Sequence, residues 1–186
     1  MIVSQAWASR SGEAPTPNLI LPVMNYRDKP RGGMWTSTLR CDGSADLSAW
    51  ESWARGAGGL DDCVDRPTWV LIPDPAARVI EVDGCRDMDD LLANYSWPTC
   101  AEWRGRDAVG CRSCHGQGCH LPALGGCWEP RMDFVLVAAD GFDAVHMTAR
   151  GIERLRRAHP EYVGTWECES TVWFRWAFAG RARRVR

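Results

Sequence analysis

The chain has 186 residues, 45% hydrophobic and 25% charged, with a formal net charge of −2. This is too apolar for a disordered chain, and the length suits one domain, residues 1–186, that buries its own core. No run reaches the roughly 18 apolar residues of a membrane helix, the first dozen residues lack a secretory pattern, and a near-neutral charge excludes a surface built wholly for nucleic acid. A cytoplasmic protein is expected.

Residues 1–18 are rich in Ser, Gly and Pro and read as a loose lead-in. Leu19 to Met24 predicts a short buried strand, placed at an edge or bulge by Pro22. A turn-rich stretch to Gly33 then enters a strand, Met34 to Thr38. Ser44 or Asp46 can cap a helix with Leu47, Trp50 and Trp53 at three-residue spacing, ended by Gly56, Gly58 and Gly59. Thr68 to Ile72 and Arg78 to Val82 are β-rich runs joined at Pro73-Asp74-Pro75 by a hairpin or corner. Met88, Leu91, Leu92 and Tyr95 mark an amphipathic helix from Asp87. Residues 97–131 change character, and regular structure resumes after them. Phe134 to Ala138 and Ala144 to Thr148 predict buried strands, Arg150 to Ala158 a helix, and Thr171 to Phe178 a final strand. His146 reads as a satisfied strand histidine, and His159 sits at a helix end. Arg181 to Arg186 forms a solvated basic tail with capacity for nucleic-acid contact.

Nine cysteines cannot all pair within one chain, and five of them fall in the 97–131 stretch. In a reducing compartment such a cluster reads as metal ligands before disulfides. Cys111 and Cys114 form a C-x-x-C turn, and Cys119 and Cys127 are the natural second pair for a tetrahedral site. Cys100, His115 and His120 are the substitutes for the fourth ligand. Sulfur ligands favour zinc over harder cations, and four protein ligands leave no position for water, so the metal would be structural. The Cys-x-x-Cys-x-Gly-x-Gly unit resembles one repeat of the DnaJ-type zinc domain.

Two further pieces stand far apart: Lys29-Pro-Arg-Gly-Gly-Met-Trp-Thr-Ser-Thr38, and Trp166-Glu-Cys-Glu-Ser-Thr-Val-Trp-Phe174. In an extended chain Glu167 and Glu169 project to one face, either solvated together or held at a site where one tunes the other. Glu167-Cys-Glu169 resembles the Glu-x-Glu motif of the ADP-ribosyltransferase-like superfamily, and Thr36-Ser37-Thr38 resembles its Ser-Thr-Ser strand. The Lys-Pro-Arg-Gly entry, the Trp-x-x-Trp helix and the late Trp-acid-x-acid-Ser are similar to a layout shared by small phage and bacterial proteins.

The resemblance implies an α+β fold with a split, mixed β core of the ADP-ribosyltransferase type, interrupted by the Cys-rich zinc-binding insertion. It implies NAD as substrate and transfer of ADP-ribose to a macromolecular acceptor, protein or nucleic acid. Glu169 would be the catalytic carboxylate, Glu167 would act on the acceptor, and Ser37 would fix Glu169. Trp35 would wall the nicotinamide, with Thr36 beside it and Arg27 as the nearest candidate for the family's NAD-anchoring first-strand Arg or His. The rival expectation is a non-catalytic zinc-containing binding protein, a phage-encoded factor that touches nucleic acid or a host protein; a degenerate transferase scaffold is the third.

Overall fold

The computed structural model describes residues 4–8, 11–25, 29–40, 48–57, 66–96, 131–163 and 166–186. Within them lie eight strands, β1 (Gln5–Ala8), β2 (Leu21–Met24), β3 (Arg31–Thr38), β4 (Thr68–Pro73), β5 (Val79–Val82), β6 (Ala144–Met147), β7 (Ser170–Trp173) and β8 (Phe178–Arg184). Four helices accompany them: α1 (Ala49–Ala57), α2 (Cys85–Asn94), α3 (Phe134–Ala139) and α4 (Ala149–Ala158). The fold is α+β, and the sheet runs β5-β6-β7-β3-β1-β4-β8, with β2 also on β3.

Every pairing is antiparallel except β5 with β6. A parallel pair needs a long crossover, and α2 and α3 lie in this one. Residues 97–130 belong to the same connection. Ser96 bridges to Met132, and the Asp133 amide donates to the Tyr95 carbonyl at 2.6 Å, so the chain departs and returns at one point.

The larger core lies between the sheet and helices α2, α3 and α4. It joins Val82, Val145, Met147 and Val172 of the strands to Met88, Phe134 and Leu155, with Trp166 fully enclosed. Each such side chain contributes about 1.5–3 kcal/mol by leaving water. Gly151 lets α4 sit close on β5, because a Cβ there would stand 2.3 Å from the Val82 carbonyl oxygen. A smaller core collects Met34, Leu71, Trp173 and Phe178.

Several expectations are corrected. The lead-in contains β1, which lies between β3 and β4 deep in the sheet, and Gln5 is fully buried. Four residues are too few to show a strand's alternation, so only the pairing reveals it. The basic tail is also a strand, with β8 paired to β4 at the sheet edge. The final aromatic run breaks after Trp173 to supply β7 and β8 separately.

Phe134 to Ala139 is a helix rather than a strand. The Asp133 side chain accepts from the Leu136 amide, and only Phe134 and Val137 of the run are buried, a helical spacing. Short apolar runs are ambiguous by composition, and here the cap decides. Leu21 and Met24 are 62% and 58% exposed, so β2 is not the buried strand expected, although its register shift agrees with a bulge. β4 and β5 meet at a corner, since neither pairs with the other. Ser48 accepts from the Glu51 amide at the start of α1; Ser44 and Asp46 lie outside the described residues.

Candidate active site

β3 lies antiparallel to β7, with Trp35 opposite Val172 and Thr36 opposite Thr171. This register carries the end of β3 to the residues that precede β7. Thr38 Oγ1 donates to Glu169 Oε1 at 2.5 Å, and Ser37 Oγ donates to the Glu169 carbonyl at 3.0 Å. The same Ser37 oxygen accepts from the Trp50 amide at 3.0 Å, which ties α1 to the site. The sequence-predicted Ser37–Glu169 contact therefore exists through the backbone, and Thr38 is the residue that grips the carboxylate.

A third group meets Glu169. His146 Nε2 on β6 lies 3.4 Å from Oε1, while its Nδ1 is 2.8 Å from Thr171 Oγ1. Thr171 and Thr36 both donate to Gln5 Oε1, at 3.0 and 2.8 Å, and Trp173 Nε1 donates to Thr36 Oγ1 at 2.9 Å. A continuous polar network thus runs across four strands through a buried region, where each unpaired member would carry a desolvation cost. Thr36 spends its hydroxyl inside this network.

The hydrogen bond from His146 holds the Glu169 carboxyl below its ordinary range, and Thr38 and the Ala149 amide at the start of α4 act in the same direction against partial burial. Glu169 is therefore an ionised carboxylate at neutral pH. It suits the stabilisation of developing positive charge and is unsuited to donating a proton.

Two hollows meet at Glu167 and Cys168, the residues just before this carboxylate. The first, about 270 Å³, is walled by Trp7, Trp35, Trp50 and Trp53, with Ser37 and Glu51 among its polar groups. The second, about 550 Å³, is lined by Glu169 and by Arg40, Arg156 and Arg157. Trp53, Glu167 and Cys168 border both.

Glu167 and Glu169 lie ahead of β7 rather than within it; both line the second hollow, but they differ in exposure and in partners. Glu167 is exposed, with Lys29 Nζ 3.5 Å from its Oε2. Lys29, the sole lysine, stands 5.0 Å from the Trp35 ring centre and 5.5 Å from that of Trp166, and the two rings are 5.2 Å apart. Arg156 holds the loop by donating to the Trp166 and Glu167 carbonyls at 2.9 and 3.0 Å. Burial pushes the Cys168 thiol up to about 11, which makes it a poor nucleophile.

Arg27 and the cysteines 111, 114, 119 and 127 lie outside the described residues. Among the described residues no group of three His, Cys, Asp or Glu side chains is arranged to hold a metal ion, and no helix is long and apolar enough to cross a membrane. His146 is a satisfied strand histidine, as expected, but its partner Glu169, and the roles of Thr38 and Gln5, were not foreseen, because these contacts depend on strand register. No protein-family model matches the chain, nor does any curated protein or solved structure.

Proposed function

We propose that the protein cleaves the nicotinamide–ribose bond of NAD and transfers ADP-ribose to a macromolecular acceptor. The supporting observation is an ionised carboxylate, Glu169, gripped by Thr38 and His146 on an arginine-lined hollow, with a tryptophan-lined hollow on the other side of Glu167 and Cys168, which border both. In this reading the flat nicotinamide enters the hollow against Trp35. Arg40, Arg156 and Arg157 on the other side suit the pyrophosphate, since a guanidinium fork can meet two oxygens.

Cleavage sends the C1′–N electron pair to the nicotinamide ring, which leaves neutral, and positive charge grows on the ribose. Glu169 opposes that charge at a site where its own negative charge is already oriented. Glu167, on the exposed lip, would take the proton of the attacking acceptor group. Ser37 keeps Glu169 in position through its backbone, and Thr36 supports the same strand.

Nicotinamide release from NAD, followed chromatographically, tests the reading. Glu169→Gln preserves shape and removes charge, so release should fall by on the order of a hundredfold or more while the fold persists. Glu167→Gln should reduce transfer more than hydrolysis. Failure of the wild-type protein to release nicotinamide at millimolar NAD would overturn the proposal.

A further inference from the structure

We infer that the β8 edge is a docking surface for the sugar–phosphate backbone of a nucleic acid. Residues 170–186 contain five arginines and no acidic residue, and β4, the strand beside β8, carries no charge at all. The chain's negative balance is therefore carried elsewhere, and this edge stands out as locally cationic.

The exposed arginines differ from those on α4. Arg150 and Arg154 face Asp83, and Arg157 faces Glu153. The side chains of Arg181 and Arg183 are exposed and have no hydrogen bond, ion pair or ring contact among the described residues. Arg184 spends only its Nε, on the Arg186 carbonyl at 2.7 Å. One or two cations are enough to keep an edge strand from pairing with another chain, and a bulge helps. β8 already has a register shift around Gly180, so the additional arginines exceed that need.

The edge is also aligned with the site. Ser37, Ala6, Val70 and Arg183 are successive cross-strand partners on β3, β1, β4 and β8. Directly paired residues project to the same face, so Arg183 shares the face of Ser37 and stands about 14 Å away, at about 4.8 Å per strand. A phosphate backbone held by Arg181 and Arg183 would run beside the cleft on the side of the tryptophan-lined hollow. This surface does not depend on the NAD reading, because binding at the edge requires no nucleotide in the cleft.

The test is fluorescence anisotropy of a labelled 20-nucleotide single-stranded RNA with the full chain, without NAD, across a series of salt concentrations. Saturable binding that weakens with salt is expected. Arg181→Ala/Arg183→Ala should weaken it about tenfold or more at 0.1 M salt and lower the log–log salt slope by about 1.4, at about 0.7 per phosphate contact. Arg86→Ala, an exposed arginine on α2, should leave the slope unchanged. Circular dichroism would verify that the double variant is folded. Absence of salt-sensitive binding by the wild type, or a double variant with the wild-type slope, would overturn the inference. Equal affinity for poly-glutamate would also overturn it, and would point to an acidic protein partner.

Discussion

Thr38 and Glu169, 131 positions apart in the chain, share a 2.5 Å hydrogen bond between Oγ1 and Oε1. The contact exists because β3 and β7 are neighbours and because Glu169 stands just ahead of β7, where the backbone is free to turn its side chain toward the end of β3. A hydroxyl that donates to an ionised oxygen forms one of the stronger neutral-to-charged bonds in a protein.

Thr38→Val should therefore cost about 1–2 kcal/mol in denaturant unfolding, the lower part of the range for bonds to charge, since Glu169 keeps some contact with water. Thr38→Ser should recover most of the loss. Equal stability of the Val and Ser variants would show that the hydroxyl contributes little.

Glu169 also makes a pH prediction. Its folded value is depressed, chiefly by His146, so its contribution to stability is fully present above the unfolded carboxyl value of about 4.3 and is lost as pH falls through the lower folded value. Wild type should lose stability more steeply than Glu169→Gln as pH falls below about 4.3. Titration of the Glu169 side-chain carbon by NMR measures the midpoint directly, and a midpoint at or above the ordinary value would contradict the geometry.

Arg186 Nη1 lies 2.9 Å from Glu51 Oε1, and Glu51 is only 2% exposed. Removing the cation takes the Arg186 charge away from a buried carboxylate, which is costlier than losing a surface pair. Arg186→Met should destabilise the protein by about 2–3 kcal/mol, below the fully buried range because water reaches the guanidinium. Adding Glu51→Gln should restore part of that loss, because the buried group is then neutral. Thermal unfolding of the two single variants and the double variant measures the coupling.

The cysteine segment makes its own prediction. Protein purified without added metal should carry about one zinc per chain, by elemental analysis, on Cys111, Cys114, Cys119 and Cys127 or with one substitute ligand. Cys111→Ser should lower the zinc content while the sheet remains folded, because Ser96, Met132 and Asp133 already close the base of the segment. A metal-free protein with an unchanged fold would remove zinc from the account.

Much was legible in the order of residues alone. The helices of α1, α2 and α4 announce themselves by apolar spacing, and β3, β4, β5 and β6 by short β-rich runs between turn residues. These signals are local, set by the 3.6- and 2-residue periods of one chain segment. Ser37, Trp35 and Glu169 were recognisable as candidates by motif, and the fold joins Ser37 to the Glu169 backbone while Trp35 and Glu169 line separate hollows. Register was not legible. Only the folded sheet sets His146 beside Thr171 and Glu169, buries Gln5 beneath Thr36, and turns the arginine tail into an edge strand that reaches back to Glu51. Hydrogen bonds between strands depend on which distant segments become neighbours, and no short window of sequence contains that information; the tertiary structure alone decides it.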